Sequence, residues 1–263
     1  MVKVIFLRHG ESSWNMKFCK WRVEQGISSD IFVMPPHDFN FTVKDISECD
    51  SELTEDGIKQ CHLNALELSD YPNIKKVLCS PMRRTIQTFE LMFQNYPKKF
   101  NNQEIFIAPC ICEQILSLGE FAMKTDVMRE TYQDKYNWAA MDVFENPPVW
   151  FIENVPTNSE NENFKNDLLE NWEKSRDFEK LIKFWRESEK LLDNNHALIE
   201  RVSKAKEFIK KFIEKHQLGD GELVLVAHWK FIKYFTAASF DQDGESAYGK
   251  SPNNCELIEW DLV

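Results

Sequence analysis

Four short runs of apolar and β-branched residues punctuate the chain: Val2–Leu7, Ile74–Cys79, Glu104–Ala108 and Leu223–Ala227. Val2–Leu7 and Leu223–Ala227 carry almost no polar alternation, which predicts strands buried on both faces of a sheet. Segments of helical period lie between them. Thr54 is placed to N-cap a helix carrying Ile58, Cys61, Leu63, Ala65, Leu66 and Leu68. Ser80 and Pro81 open a second helix whose apolar face holds Met82, Ile86, Phe89 and Phe93. Residues 197–216 form an amphipathic helix, with Ile199, Val202, Phe208, Ile209, Phe212 and Ile213 on one side and lysines opposite. A helix over about 230–240 and a terminal strand from Glu256 complete the pattern. Strands alternating with helices predict a three-layer α/β/α sandwich around a central, mostly parallel sheet.

Two segments break this rhythm. Residues 14–50 mix aromatic and polar positions around Pro35 and Pro36, and read as an irregular excursion with one short helix. Residues 119–196 read as mostly helical pieces, helical over 164–193 and loop-like over 145–163. The chain is therefore expected to be one domain, 1–263, with these two segments inserted and capping the active site. A surface decoration is the competing reading of the second.

Charge and cysteine content narrow the function classes. A net charge of -11 argues against a general nucleic-acid or membrane-surface binder. No apolar stretch approaches the roughly 20 residues that span a bilayer, and the start lacks a basic leader, so the chain is expected to begin at or near Met1. The seven cysteines are odd in number and lack paired zinc-ligand spacing, which predicts a reduced, cytoplasmic protein. Cys110 and Cys112 are read as small buried hydrophobes rather than a redox or metal pair.

In an α/β sheet the strand C-terminal ends converge on one edge, and here those ends lead to Arg8-His9-Gly10, Arg84, Glu113 and His228. Guanidinium groups offer the planar, permanent charge that a phosphate dianion requires, which suits Arg8 and Arg84. A neutral imidazole can attack phosphorus when its other nitrogen is held by an acceptor, and His9 is the candidate because Gly10 lets backbone and ligand approach closely. Glu113 can protonate a leaving alcohol and then activate water. His228, charged or hydrogen-bonded, can stabilise the transferring phosphoryl oxygens. The scheme calls for no metal and no cofactor. Singly, each residue has an ordinary structural use; gathered at strand ends, they point to phosphate chemistry.

The string Leu7-Arg8-His9-Gly10-Glu11-Ser12 followed by Trp14-Asn15 resembles the N-terminal signature of the histidine phosphatase superfamily, the phosphoglycerate mutase-like proteins. Leu53-Thr54-Glu55-Asp56-Gly57 with Gln60 is similar to that family's LTxxGxxQ helix start. Ser80 to Thr88 is similar to its SPxxRxxQT segment, and Leu225-Val226-Ala227-His228 to the strand bearing its second histidine. The resemblance implies His9 as the phosphorylated residue, with Arg8, Arg84 and His228 completing the phosphate pocket and Ser12 and Asn15 adding polar contacts. It places Arg84, rather than Arg83, at the family's arginine. Glu113 falls where the family keeps its acid, with Glu120 close behind and Asp126 a further alternative. Trp229 departs from the glycine that many members carry after the second histidine, and is read as subfamily character.

Mutases and phosphatases of this kind share a pocket. Gln114-Ile115-Leu116 lacks the arginine and tyrosine that follow the acid in glycolytic mutases, so a phosphoric monoester hydrolase is expected, acting on a small phosphorylated substrate or a phosphoprotein. Mutase-type phosphotransfer, and a weakly active homologue serving as a scaffold through its two long insertions, are the alternatives.

Overall fold

A computed structural model describes residues 2–27, 49–122, 125–132, 135–144, 149–188, 190, 192–241 and 247–261. The predicted excursion around Pro35 and Pro36, and Pro147 and Pro148, lie outside the described residues. Five strands form one sheet: β1 (Lys3–Arg8), β2 (Ile74–Cys79), β3 (Ile105–Ile107), β4 (Glu222–Ala227) and β5 (Leu257–Asp261), in the order β3-β2-β4-β1-β5. The first four are mutually parallel and β5 closes one edge antiparallel to β1. The helices are α1 (Ser13–Glu24), α2 (Glu55–Asn64), α3 (Arg83–Met92), α4 (Thr125–Tyr132), α5 (Trp150–Glu153), α6 (Glu162–Ser175), α7 (Phe178–Ser188), α8 (Asn195–His216) and α9 (Trp229–Phe235).

The unalternated strand sequences are explained by a core on each face. Ile5, Leu7, Val77, Cys79, Val224 and Val226 point into one, with residues of α3, α6 and α7. Val4, Phe6, Leu78, Leu223, Leu225 and Ala227 point into the other, with residues of α8 and α9. Successive strand residues thus serve opposite cores, the arrangement of a three-layer α/β sandwich.

The helix expected within residues 14–50 is the twelve-residue α1, whose Trp14 and Trp21 are buried. Two other local expectations change. Residues 145–163 contain α5, whose Trp150, Phe151 and Ile152 are consecutive buried residues and so give no helical period. The stretch over 164–193 is two helices, α6 and α7, parted at Arg176, which sits in the left-handed region at φ 50°. Phe121, Trp150, Phe151, Phe164, Trp172 and Trp185, all from residues 119–196, share one continuous core with Ile5 and Leu7. In α2, Thr54 caps as expected, accepting from Gly57 N at 3.0 Å. Leu63 nevertheless points to solvent, because it lies two residues from the buried Cys61 and so off the buried face, and Leu66 does so in a 3-10 turn over Ala65–Asp70 where the 3.6 period is lost.

Two glycines let the loop after β1 and the start of α2 touch. A Cβ on Gly57 would fall 2.1 Å from Glu11 O, and one on Gly10 would fall 2.8 Å from Gly57 O. The smallness of Gly10 therefore serves this packing against α2. Gly57→Ala is expected to cost on the order of 1–3 kcal/mol by overpacking, lowering the thermal midpoint by several degrees in a calorimetric melt.

Candidate active site

Sheet register brings the key side chains together. Arg8 pairs with Ala227, so the next residues, His9 and His228, emerge side by side with ring centroids 5.1 Å apart. Cys79 pairs with Val226, which puts Ser80 beside the second histidine, its Oγ 2.8 Å from His228 Nε2. Arg84 follows in the first turn of α3 and is buried. Its neighbour Arg83 turns away, donating from Nε to Asp50 O at 2.9 Å and pairing with Glu52. Arg84 is thus the inward arginine of the pair.

The His9 ring is fixed at both nitrogens. Nδ1 donates to Gly10 O at 2.7 Å, which leaves the Nε2 lone pair facing Arg84 Nε at 3.3 Å. Burial, then the Arg84 and Arg8 charges, push the His9 pKa well below its ordinary value, so the ring is neutral near pH 7. His228 is also held neutral, by burial first and Arg84 next. Of the two states expected for it, charged or hydrogen-bonded, the second is found.

Arg84 is further anchored by Nη1 donating to Gly119 O at 3.1 Å. Arg8 Nη1 donates to Pro252 O at 2.9 Å, while Arg8 Nε and His228 Nδ1 are buried without a hydrogen-bond partner. Orphaned polar atoms in an apolar interior are costly and rare.

Residues of the matching sequence blocks brace this loop. Gly10 N donates to Thr88 Oγ1 at 3.0 Å, Glu11 N to Gln60 Oε1 at 2.9 Å, and Asn254 Nδ2 to His9 O at 2.9 Å. Asn254 lies outside those blocks, and its bond ties the turn before β5 to the His9 backbone. Ser12 and Asn15 have a local use: they form the reciprocal capping box of α1. Asn15 also lines the cavity beside His9, whereas the Ser12 hydroxyl is buried in the cap.

The three acid candidates differ sharply. Glu113 lines the cavity, but its carboxylate accepts from Gln114 N at 2.9 Å, Lys230 N at 3.2 Å and Phe231 N at 3.2 Å, which makes it a cap for α9. Glu120 lines the same cavity, is buried, and accepts from both the backbone and the hydroxyl of Ser117. Burial raises its pKa to about 7. Asp126 is exposed on α4 and not part of the lining. The segment carrying Glu113 is held from below by a buried ion pair, Arg201 Nη2 to Asp193 Oδ2 at 2.9 Å. Arg201 Nη2 also donates to Glu113 O at 3.2 Å, and Ile115 N to Asp193 Oδ2 at 3.0 Å. Sequence reasoning missed this pair, since its members come together only through tertiary packing.

Cys110 and Cys112 are free thiols, each pushed up to about 12 by burial, as befits space-filling residues. Among the described residues no helix is long and apolar enough to cross a membrane.

Residues 38–160 match the model of the histidine phosphatase superfamily (branch 1). That span includes Thr54, Gly57, Arg84, Glu113 and Glu120, and the fold joins it to His9 and His228, which lie outside it. No curated protein matches the chain. Among solved structures, a provisionally assigned alpha-ribazole-5'-P phosphatase from Escherichia coli shares the fold, with TM-score 0.50, 14% identity, and 99% of this chain and 91% of that one covered. The ecdysone phosphate phosphatase from Bombix mori aligns over 98% of this chain and 88% of its own, at 14% identity and TM-score 0.48. A phosphoserine phosphatase from Entamoeba histolytica aligns over 98% and 90%, at 15% identity and TM-score 0.45.

Proposed function

We propose that this chain of the histidine phosphatase superfamily hydrolyses phosphomonoesters, without a metal ion, through a phosphohistidine on His9. The observation that carries the reading is the fixed neutral His9 ring, its Nε2 lone pair directed to Arg84 in a cavity lined by Arg8 and Arg84, with the buried His228 packed behind it at 5.1 Å between ring centroids. The Nε2 lone pair forms an N–P bond as the P–O bond to the alcohol breaks. Arg8 and Arg84 neutralise the phosphoryl oxygens, and His228, in the tautomer that carries its proton on Nδ1, donates to them with its Nε2 facing Ser80 Oγ at 2.8 Å.

The departing alkoxide takes a proton, and Glu120 is the better donor on its surroundings: a buried carboxyl raised to about 7 holds that proton near neutrality. Glu113, the acid first expected, is instead occupied by three backbone N–H donors at α9. Once ionised, Glu120 takes a proton from water as it attacks phosphorus. The N–P electron pair then returns to His9 and phosphate leaves.

The reading is tested by assaying an aryl phosphate with excess chelator present. Unchanged turnover with release of inorganic phosphate is expected, and loss of activity on chelation contradicts it. Incubation with 3-phosphoglycerate is expected to yield free phosphate; isomerisation to 2-phosphoglycerate without phosphate release would instead make the protein a mutase.

A further inference from the structure

The cavity that holds His9 has a volume of about 570 Å³, and a phosphoryl group between Arg8 and Arg84 fills only its inner end. The remainder runs out between α1 and α9. From α1 it is lined by Trp14, Phe18 and Arg22, spaced four residues apart so that they form one stripe. From α9 it is lined by Trp229, Lys230 and Lys233.

The charge of this outer part opposes that of the chain. In a protein of net charge -11, the outer wall gathers the cations Arg22, Lys230 and Lys233. The cavity's five cations, Arg8, Arg22, Arg84, Lys230 and Lys233, outnumber its three carboxylates. Glu11 accepts from the Thr54 hydroxyl at 2.7 Å, Glu120 accepts from Ser117, and Glu113, whose charge also acts on Lys230, caps α9. Aromatic rings support the cationic side chains. Lys233 Nζ stands 5.1 Å from the centroid of Trp229, and the Arg22 guanidinium 5.7 Å from that of Phe18. Lys230 Nζ is held by Asn195 Oδ1 at 3.0 Å. Burial lowers the Lys230 pKa to about 8, so a facing anion would favour its charged form.

We infer that the outer cavity is a second anion subsite, and that the substrate is a phosphomonoester bearing another negatively charged group, a carboxylate or a second phosphate, on the far side of a flat or apolar body. This rests on the phosphatase reading for the inner end of the cavity. The body lies against Trp14 and Phe18 while Lys230, Lys233 and Arg22 take the second anion. A phosphate contact at the inner end alone does not explain the cations on α9.

The subsite is measured as binding, separately from turnover, by calorimetry on a His9→Ala background. The probes are phenyl phosphate, 4-carboxyphenyl phosphate, 1,4-phenylene bisphosphate and 4-(2-aminoethyl)phenyl phosphate. The anionic esters are expected to bind on the order of 10-fold tighter than phenyl phosphate, and the aminoethyl ester more weakly. Which of the two anionic esters binds tighter tells carboxylate from phosphate. Adding Lys233→Glu or Arg22→Glu is expected to remove the preference. Equal binding of all four esters, tightest binding of the aminoethyl ester, or equal weakening of all four by the charge reversals overturns the subsite. Failure of the phosphatase reading appears elsewhere, as an unmodified protein that turns over none of the four.

Discussion

A His9→Ala variant is expected to hydrolyse phosphomonoesters at least about 10⁴-fold more slowly than the unmodified protein, the scale of loss when a covalent nucleophile is removed. The magnitude follows from what the site has arranged around one atom. Gly10 O fixes the tautomer, burial and two arginines keep the ring neutral, and Nε2 presents its lone pair toward Arg84. Without it, water must attack directly in a pocket whose cations still bind phosphate. Phosphate or vanadate binding is therefore expected to survive, and an unchanged melting profile would separate lost chemistry from lost fold. A variant retaining more than a few per cent of the rate would remove His9 from the reaction.

The second large effect concerns the proton donor. Glu120→Gln is expected to slow an alkyl phosphate by about 10²- to 10⁴-fold, and a nitrophenyl phosphate much less, because the latter's leaving group needs no proton. Glu113→Gln is expected to act weakly and alike on both. The pH dependence has a defined sign. A donor raised to about 7 is protonated below that value and ionised above it, so kcat/KM for an alkyl ester falls as pH rises through about 7. The acidic limb lies lower, set by His9, whose pKa is pushed well below its ordinary value and which must be neutral to attack. In Glu120→Gln the alkaline limb should disappear while the acidic one stays. If Glu113→Gln produces the larger loss and removes that limb, Glu113 is the donor.

How far these residues were legible depends on whether their role is local or tertiary. The β1 and β4 runs announce themselves because a strand covered on both faces has no polar alternation, and Arg8, His9 and His228 follow directly from where those strands end. Thr54 was legible as a cap for the same reason, since its partner Gly57 is three residues away. Glu120 was not separable from Glu113 in sequence. Its raised pKa comes from burial, which outweighs the Arg84 charge and the Ser117 hydrogen bonds, whereas the α9 amides that occupy Glu113 lie more than a hundred residues downstream. Ser12 and Asn15 show the converse, motif residues whose nearest use is a helix cap. A signal for α1 was present in the spacing of Trp14, Phe18 and Trp21, but polar residues around it masked the period. The stripe matters because it walls the outer cavity.

The central claim is a covalent one, and trapping the intermediate tests it most directly. The protein is mixed with a 32P-labelled phosphomonoester, quenched in alkali within the first turnovers, digested and mapped by mass spectrometry. The account predicts label on the peptide containing His9, stable in alkali, released by acid, and absent from His9→Ala. Label on another residue, or hydrolysis proceeding at full rate in His9→Ala, would contradict it.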